Sequence, residues 1–530
     1  MGKIQEIRES ETGKKIVKKG KSGIGRILFG RTGVILLLLL LQLGILFMVF
    51  SRLQQHVIYV YWLFALLSAL TAILIINRPG NPAFKLAWMV PITIFPVFGM
   101  LLYLFVEFQA GERLLNRRLQ DVEQQMRKYV LQDPDVFEEL EQTDKRTSNL
   151  SRYVMEKGGF PTYKNYHTAY YPWGKDKFEA LIEELNKAEK FIFMEYFIVA
   201  EGKMWNTVLE ILKKKVQEGV EVRFMYDGTC SISLLPYNYP KKLEEYGIKC
   251  KIFNPIKPAL STVQNNRDHR KIVVIDGKTA FTGGVNLADE YIGELERFGT
   301  WKDTAIMIQG EAVRNFTLMF LEIWNVDEPQ ENYERYLDAS HSYGMIEGDG
   351  YVIPYGDSPL DHENVGELVY LDILNSAKDY VHIMTPYLIL DHEMITALTY
   401  AAKRGVDVKI IMPGIPDKAY AFALAKTYYP ELLRAGVKIY QYKPGFVHAK
   451  SFTSDDCKGV VGTINLDYRS LYLHFECAVY LYQVPQITEV EADFQETLKD
   501  CREINMEDWR NEKFITKLTG RVLRLIAPLM

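Results

Sequence analysis

The sequence is poor in cysteine. The five in its 530 residues (Cys230, Cys250, Cys457, Cys477 and Cys501) are scattered, odd in number and form no CxxC pair. That argues against a disulfide framework or a structural zinc ribbon and leaves isolated, partly buried thiols as the expectation. It also lacks a basic excess. Sixty-three Lys and Arg against 67 Asp and Glu give a net charge of −4, which argues against a dedicated nucleic-acid binder. No HExxH occurs, so the commonest zinc-hydrolase signature is missing. What remains, 48% hydrophobic and 25% charged residues, is ordinary for folded protein and long enough for two or more domains.

That average hides a divided chain. Residues 1–31 form a basic tail with nine Lys/Arg against three Glu. Three apolar stretches follow, at 33–50, 57–76 and 86–106, each close to the ~20 residues a helix needs to cross a bilayer. A cleaved signal peptide does not fit, because no small-residue cleavage site follows the first stretch and more apolar sequence comes at once. The expectation is a multi-pass protein of the cell membrane with its basic tail in the cytoplasm. Pro91 and Pro96 interrupt the third stretch, which can span with a kink or enter and leave on one side. Arg78 and Lys85 precede it and Arg113, Arg117, Arg118, Arg127 and Lys128 follow it. Positive-inside counting thus favours the re-entrant option and a cytoplasmic C-terminal region, with the kinked span as the alternative.

After a polar helical linker at 109–150, helix-like and strand-like runs alternate, the mark of an α/β domain. The pattern occurs twice. A helix at 178–187, strand at 191–199, helix at 205–217 and strand at 220–225 are echoed by a helix at 368–377, strand at 380–384, helix at 394–403 and strand at 406–412. Gly219-Val220-Glu221-Val222 resembles Gly405-Val406-Asp407-Val408, and Tyr246-Gly247-Ile248-Lys249 parallels Ala435-Gly436-Val437-Lys438. In the last pair a helix is expected to end at the glycine and hand over to a strand. The expected fold class is α/β, with two tandem repeats at 151–345 and 346–510, each a mixed sheet flanked by helices, related by a pseudo-twofold and preceded by hydrophobic membrane helices.

Each repeat ends in the same polar cluster. The first is His269-Arg270-Lys271-Ile272-Val273-Val274-Ile275-Asp276, then Gly283 and Asn286; the second is His448-Ala449-Lys450-Ser451-Phe452-Thr453-Ser454-Asp455, then Gly462 and Asn465. Residues two apart on a strand share a face, so His269 with Lys271, or His448 with Lys450, can meet one phosphate. Lysine supplies compact positive charge, and Asn286 and Asn465 supply amide N–H donors. If the halves face each other, one imidazole can attack phosphorus while the other protonates the leaving alkoxide and then activates an incoming alcohol, with no metal required. Asp276 and Asp455 complete the motifs in a supporting role. They lie too far along the strand to be assumed in contact with their own histidines. A metal site at these clusters is disfavoured, because each holds a lysine.

These motifs resemble the phospholipase D superfamily, and more closely the bacterial cardiolipin synthases, from about residue 57 to the end. Further matching runs are Asn81-Pro82-Ala83-Phe84-Lys85-Leu86-Ala87-Trp88, Trp301-Lys302-Asp303-Thr304, Asn465-Leu466-Asp467-Tyr468-Arg469-Ser470 and Phe475-Glu476. The first apolar segment and its basic tail look like an addition to the family pattern. The resemblance implies that two phosphatidylglycerol molecules give cardiolipin and glycerol without a cofactor or metal. It implies His269 as nucleophile and His448 as acid/base, with the swap as alternative, and Glu195 and Glu476 as candidate supporting residues. Implied partners are phosphatidylglycerol, other anionic phospholipids and the membrane, and no nucleic acid. A hydrolytic phospholipase D or another headgroup transferase would use the same residues. A nuclease would normally show a basic groove, and a non-catalytic scaffold has no need of two intact motifs. At 513–525, Phe514, Ile515, Leu518 and Val522 recur at helical spacing among Lys513, Lys517, Arg521 and Arg524, the pattern of a basic amphipathic helix on an anionic membrane.

Overall fold

A computed structural model describes Leu40, Gly44 and residues 57–107, 110–230, 234–236, 238–255, 265–328, 331–337 and 347–529. The basic tail and, those two residues apart, the apolar stretch at 33–50 lie outside the described residues. The chain divides into two units, one reaching Arg113 and one running from Leu114 to Pro528.

In the first unit, α1 (Val57–Ile76) is 20 residues long and carries no acidic or basic side chain. Its side chains are described at Tyr59 and from Trp62 onward, and among the described residues no helix is long and apolar enough to cross a membrane. The stretch read as 86–106 is two helices, α2 (Pro82–Ile94) and α3 (Pro96–Glu107), separated at Phe95. Asn81 caps α2 by accepting the Ala83 N–H. The pair is a folded-back hairpin. Trp88 and Tyr103 would stand about 22 Å apart on a straight helix, yet their ring centroids are 5.4 Å apart. Arg78, ahead of the hairpin, forms an ion pair of 2.5 Å with Glu107 at its end. Gly99 permits the turn, since a Cβ there would meet the Pro91 carbonyl oxygen at 2.4 Å.

Among the described residues the second unit holds twenty strands. The first half contributes β1 (Tyr163–Tyr171), β2 (Phe191–Tyr196), β3 (Glu221–Asp227), β4 (Lys249–Phe253), β5 (Arg267–Asp268), β6 (Ile272–Ile275), β7 (Thr279–Gly283), β8 (Thr300–Lys302) and β9 (Ala305–Gly310). The second contributes β10 (Glu347–Asp357), β11 (Tyr380–Met384), β12 (Leu388–Ile389), β13 (Asp407–Pro413), β14 (Lys438–Tyr442), β15 (Gly445–Val447), β16 (Ser451–Ser454), β17 (Lys458–Gly462), β18 (Leu466–Asp467), β19 (His474–Tyr482) and β20 (Cys501–Ile504). One mixed sheet runs through both halves. From the antiparallel β1–β10 pair the order outward is β1-β9-β7-β6-β2-β3-β4 on one side and β10-β19-β17-β16-β11-β13-β14 on the other, with β20 at that edge. The two sequences match strand for strand. Within them β2–β3 and β11–β13 are parallel, and β2–β6 and β11–β16 antiparallel.

Local chemistry explains the elements. Phe191-Ile192-Phe193-Met194-Glu195-Tyr196 is buried at every position, as a central strand covered on both faces requires. The following helix, Lys203–Gln217, buries Met204, Trp205, Val208, Leu209 and Leu212 at helical spacing. Gly247 and Gly436 adopt φ of +82° and +99°, the left-handed geometry that ends a helix. The strand expected to reach residue 199 stops at Tyr196, because Ile198 turns out of the ladder and donates its N–H to Asn286. The linker region contains helices Ala110–Met126, Pro134–Thr143 and Lys145–Tyr153.

The C-terminal helix is Phe514–Arg524. It sits on the helix Ala419–Ala425 through Gly520, where a Cβ would meet the Ala423 carbonyl oxygen at 2.3 Å. Phe514 and Ile515 remain 75% and 64% exposed, and Leu518, Val522 and Leu525 are exposed with them.

Candidate active site

The two motif histidines follow two short parallel strand pairs that join the halves. β5 pairs with the start of β19, matching Arg267 to His474 and Asp268 to Phe475. β15 pairs with β8, matching Phe446 to Trp301 and Val447 to Lys302. The ladders continue into the motifs: His269 donates its backbone N–H to the Phe475 carbonyl at 2.9 Å and His448 donates to the Lys302 carbonyl at 2.7 Å.

This register delivers a carboxylate to each ring from the opposite half. Nδ1 of His269 lies 2.9 Å from both oxygens of Glu476. Nδ1 of His448 lies 2.7 Å from Oδ2 of Asp303. Both carboxylates are fully buried. Thr463 also donates to Glu476. On the other side Gly284 leaves the room Asp303 needs, since a Cβ there would stand 2.0 Å from its Oδ1. A carboxylate at Nδ1 fixes the tautomer and leaves Nε2 as the reactive nitrogen.

Lys271 and Lys450 are buried, and each donates to the backbone carbonyl of the histidine two residues before it. Burial pushes their ammonium groups down, to about 8 for Lys271 and about 7 for Lys450. Burial also holds His269 well below the ordinary imidazole range and His448 at about 4, in the latter case against the opposing pull of Asp303. The clusters act on each other: charge on Lys450 and His448 lowers His269, and charge on Lys271 lowers His448. Aromatic rings exclude water. Tyr291, Trp301 and Phe446 surround His448 at centroid distances of 5.6, 5.5 and 5.8 Å, and Phe197 lies 4.8 Å from His269.

The family model described as "Cardiolipin synthase, PLD-like domain" matches residues 181–324 and 370–498, and one described as "Phospholipase_D-nuclease N-terminal" matches residues 60–107. The chain belongs to the phospholipase D-like cardiolipin synthase family. An uncharacterized protein of Streptococcus mutans is 54% identical over 86% of this chain and 98% of its own length. A cardiolipin synthase of Alkalihalophilus pseudofirmus is 34% identical over 88% and 93%. In fold, the crystal structure of a phosphatidylserine synthase from Haemophilus influenzae aligns with a TM-score of 0.54 at 13% identity, covering 72% of this chain and all of that one.

Other residues singled out in the sequence of this family member stand elsewhere. Asp276 and Asp455 do not meet the imidazoles. Each sits in a hairpin turn with φ of +54° or +52°. Asp276 accepts the backbone N–H groups of Glu189, Lys190 and Phe191 at 2.7–2.8 Å, and Asp455 those of Lys378, Asp379 and Tyr380 at 2.8–3.0 Å. They tie β2 and β11 to the hairpins that carry the motifs. Glu195 accepts from Arg270 Nε at 2.6 Å, with the guanidinium set between the two motif residues His269 and Lys271 in sequence. Asn286 accepts from Ile198 and donates to Tyr291, while the side-chain oxygen of Asn465 has no partner among the described residues. Asp303, which spacing alone did not mark, is the carboxylate of His448. His269, His474 and Glu476 place ligand-type atoms within 4.8 Å of one another, but the Lys271 charge that bears on His269 opposes a cation there.

The carboxylate contacts predict that Glu476→Gln and Asp303→Asn each lower kcat by about 10²–10⁴-fold in steady-state assays, because an amide no longer enforces the Nδ1–H tautomer. The lysines predict an alkaline limb. Folded-state pKa values near 7 and 8 mean that positive charge is present below this range and lost above it, so kcat/KM for an anionic lipid should fall as pH rises through about 7–8.

Proposed function

We propose that this protein transfers a phosphatidyl group from one phosphatidylglycerol to a second, releasing glycerol and forming cardiolipin through a phosphohistidine on His269. The observation that carries the reading is that two buried imidazoles each hold a carboxylate from the opposite half, with a buried lysine two residues after each and charge in one cluster acting on the other. The cardiolipin synthase relative supports a lipid alcohol, and not water, as the final acceptor.

Glu476 holds the Nδ1–H of His269, which frees Nε2 to attack phosphorus. The phosphodiester negative charge favours the protonated form of His448, as Asp303 already does, and His448 gives that proton to the departing glycerol oxygen. The same imidazole then takes the proton of the acceptor hydroxyl. Lys271 and Lys450 turn from their carbonyls to the non-bridging oxygens, where charge develops in a dry site. The remaining N–H of Asn286 and the amide of Asn465 complete the phosphate contacts. Asp276 and Asp455 support the site through the strands they anchor, as Glu195 does through Arg270.

For the membrane we propose two crossings, at 33–50 and 57–76, followed by a re-entrant hairpin at 82–107, between the basic tail at 1–31 and the linker at 109–150. The Arg78–Glu107 pair supports a hairpin whose ends return to one side, which leaves the two repeats, at 151–345 and 346–510, in the cytoplasm. The segment at 511–530 lies in the interface, with Phe514, Ile515, Leu518 and Val522 in the acyl region and the basic residues at anionic headgroups.

Purified full-length protein in detergent micelles with labelled phosphatidylglycerol should yield cardiolipin and glycerol, and His269→Ala and His448→Ala should each lose about 10³-fold or more. Phosphatidic acid as the sole product would overturn the transferase reading. For the C-terminal helix, Leu518→Trp should give an added indole emission that is quenched when the protein is reconstituted with brominated phosphatidylglycerol; an unquenched, water-exposed emission would contradict the interfacial placement.

A further inference from the structure

One difference between the two halves of the site lies directly against the paired histidines. By strand register, Trp301 and His474 occupy equivalent places, each two residues before the carboxylate of its half, Asp303 or Glu476. Each packs on the histidine that this carboxylate serves, and the centroid separation is 5.5 Å in both: Trp301 on His448, His474 on His269. An indole offers one fixed donor. An imidazole can donate, accept and change tautomer.

His474 is buried, and neither ring nitrogen has a hydrogen-bond partner among the described residues. Two unpaired nitrogens in a core are costly to leave in place. Its Nδ1 stands 3.7 Å from Oε1 of Glu476, just beyond hydrogen-bonding distance, so a small ring movement closes the contact. The other oxygen of Glu476 is held by Thr463, and both face Nδ1 of His269.

We propose that His474 is a positioning residue for the second step of transfer, donating Nδ1–H to Glu476 once His269 carries the phosphatidyl group. This rests on the phosphohistidine reading above. In the first step the bond from phosphorus to the glycerol oxygen breaks, the bond to Nε2 forms, and His448 supplies the proton of the released glycerol. His269 is then an N-phosphoryl imidazolium whose Nδ1–H is held by Glu476. In the second step the acceptor oxygen attacks phosphorus, its proton passes to His448, and the P–N electron pair returns to Nε2. A second donor on Glu476 draws negative charge away from the imidazolium, so His269 leaves more readily. His448 never carries phosphorus, and an indole suffices beside it.

The test uses full-length protein in micelles with phosphatidyl-labelled phosphatidylglycerol, acid or base quench on the millisecond scale, and a chase with unlabelled lipid. His474→Phe keeps a buried ring and removes the donor. It should form the covalent enzyme at the wild-type rate but discharge it about tenfold more slowly, equivalent to ~1.4 kcal/mol, so that labelled protein accumulates during turnover. His474→Asn, which restores an N–H, should recover most of the discharge rate. His474→Trp, copying the packing of the other half, should behave like His474→Phe and serves if the latter does not fold. Wild-type discharge in the Phe or Trp variant would overturn this inference alone, as would equal slowing of both steps with no recovery in His474→Asn. Absence of any covalent intermediate in the wild-type protein would overturn the phosphohistidine reading and this inference with it.

Discussion

Neither half of the duplicated domain completes its own imidazole. His269 takes its carboxylate from Glu476 and His448 takes its own from Asp303, and the strand pairs β5–β19 and β15–β8 set the register that makes both exchanges possible. Each carboxylate makes its hydrogen bond to an imidazole across the junction, so the chemistry and the joining of the halves depend on the same contacts. Separating the repeats would leave both histidines without the carboxylates that orient them.

The same burial prepares the site for an anion. Lys271 and Lys450 are dry enough for their proton affinity to drop to near neutrality, and each is parked on a backbone carbonyl. An entering phosphodiester adds a further negative charge that favours their ammonium forms. The aromatic wall of Tyr291, Trp301 and Phe446 around His448 keeps water from screening that interaction. It also suits a reaction in which an alcohol, and not water, must discharge the intermediate.

Much of this was legible in the sequence because it repeats. The glycines at 247 and 436 translate directly into helix ends and the alternating elements into matching strands, while the paired His-x-Lys segments, expected on strands, form the short connections between β5 and β6 and between β15 and β16. Two things were hidden. The motif aspartates read as supporting residues out of contact with their own histidines, but the contact through which they act was not legible: Asp276 and Asp455 bind backbone N–H groups at the starts of β2 and β11, between turns distant in sequence. Asp303 escaped because the segment from Asn286 to Asp303 is longer than that from Asn465 to Glu476, which masks the echo, and because its partner lies in the other repeat. Aligning Trp301-Lys302-Asp303 with His474-Phe475-Glu476 would have revealed both the carboxylate and the odd residue beside it. In the first unit the two prolines marked a break, and the contact of Trp88 with Tyr103 distinguishes a hairpin from a kinked rod.

The exchange of carboxylates between halves is open to direct measurement by nuclear magnetic resonance on full-length protein with ¹⁵N-labelled histidine in micelles. Glu476→Gln should shift the Nδ1–H resonance of His269 and leave that of His448 in place, and Asp303→Asn should do the reverse. If each histidine responds instead to the carboxylate of its own repeat, or to neither, the crossed architecture is wrong.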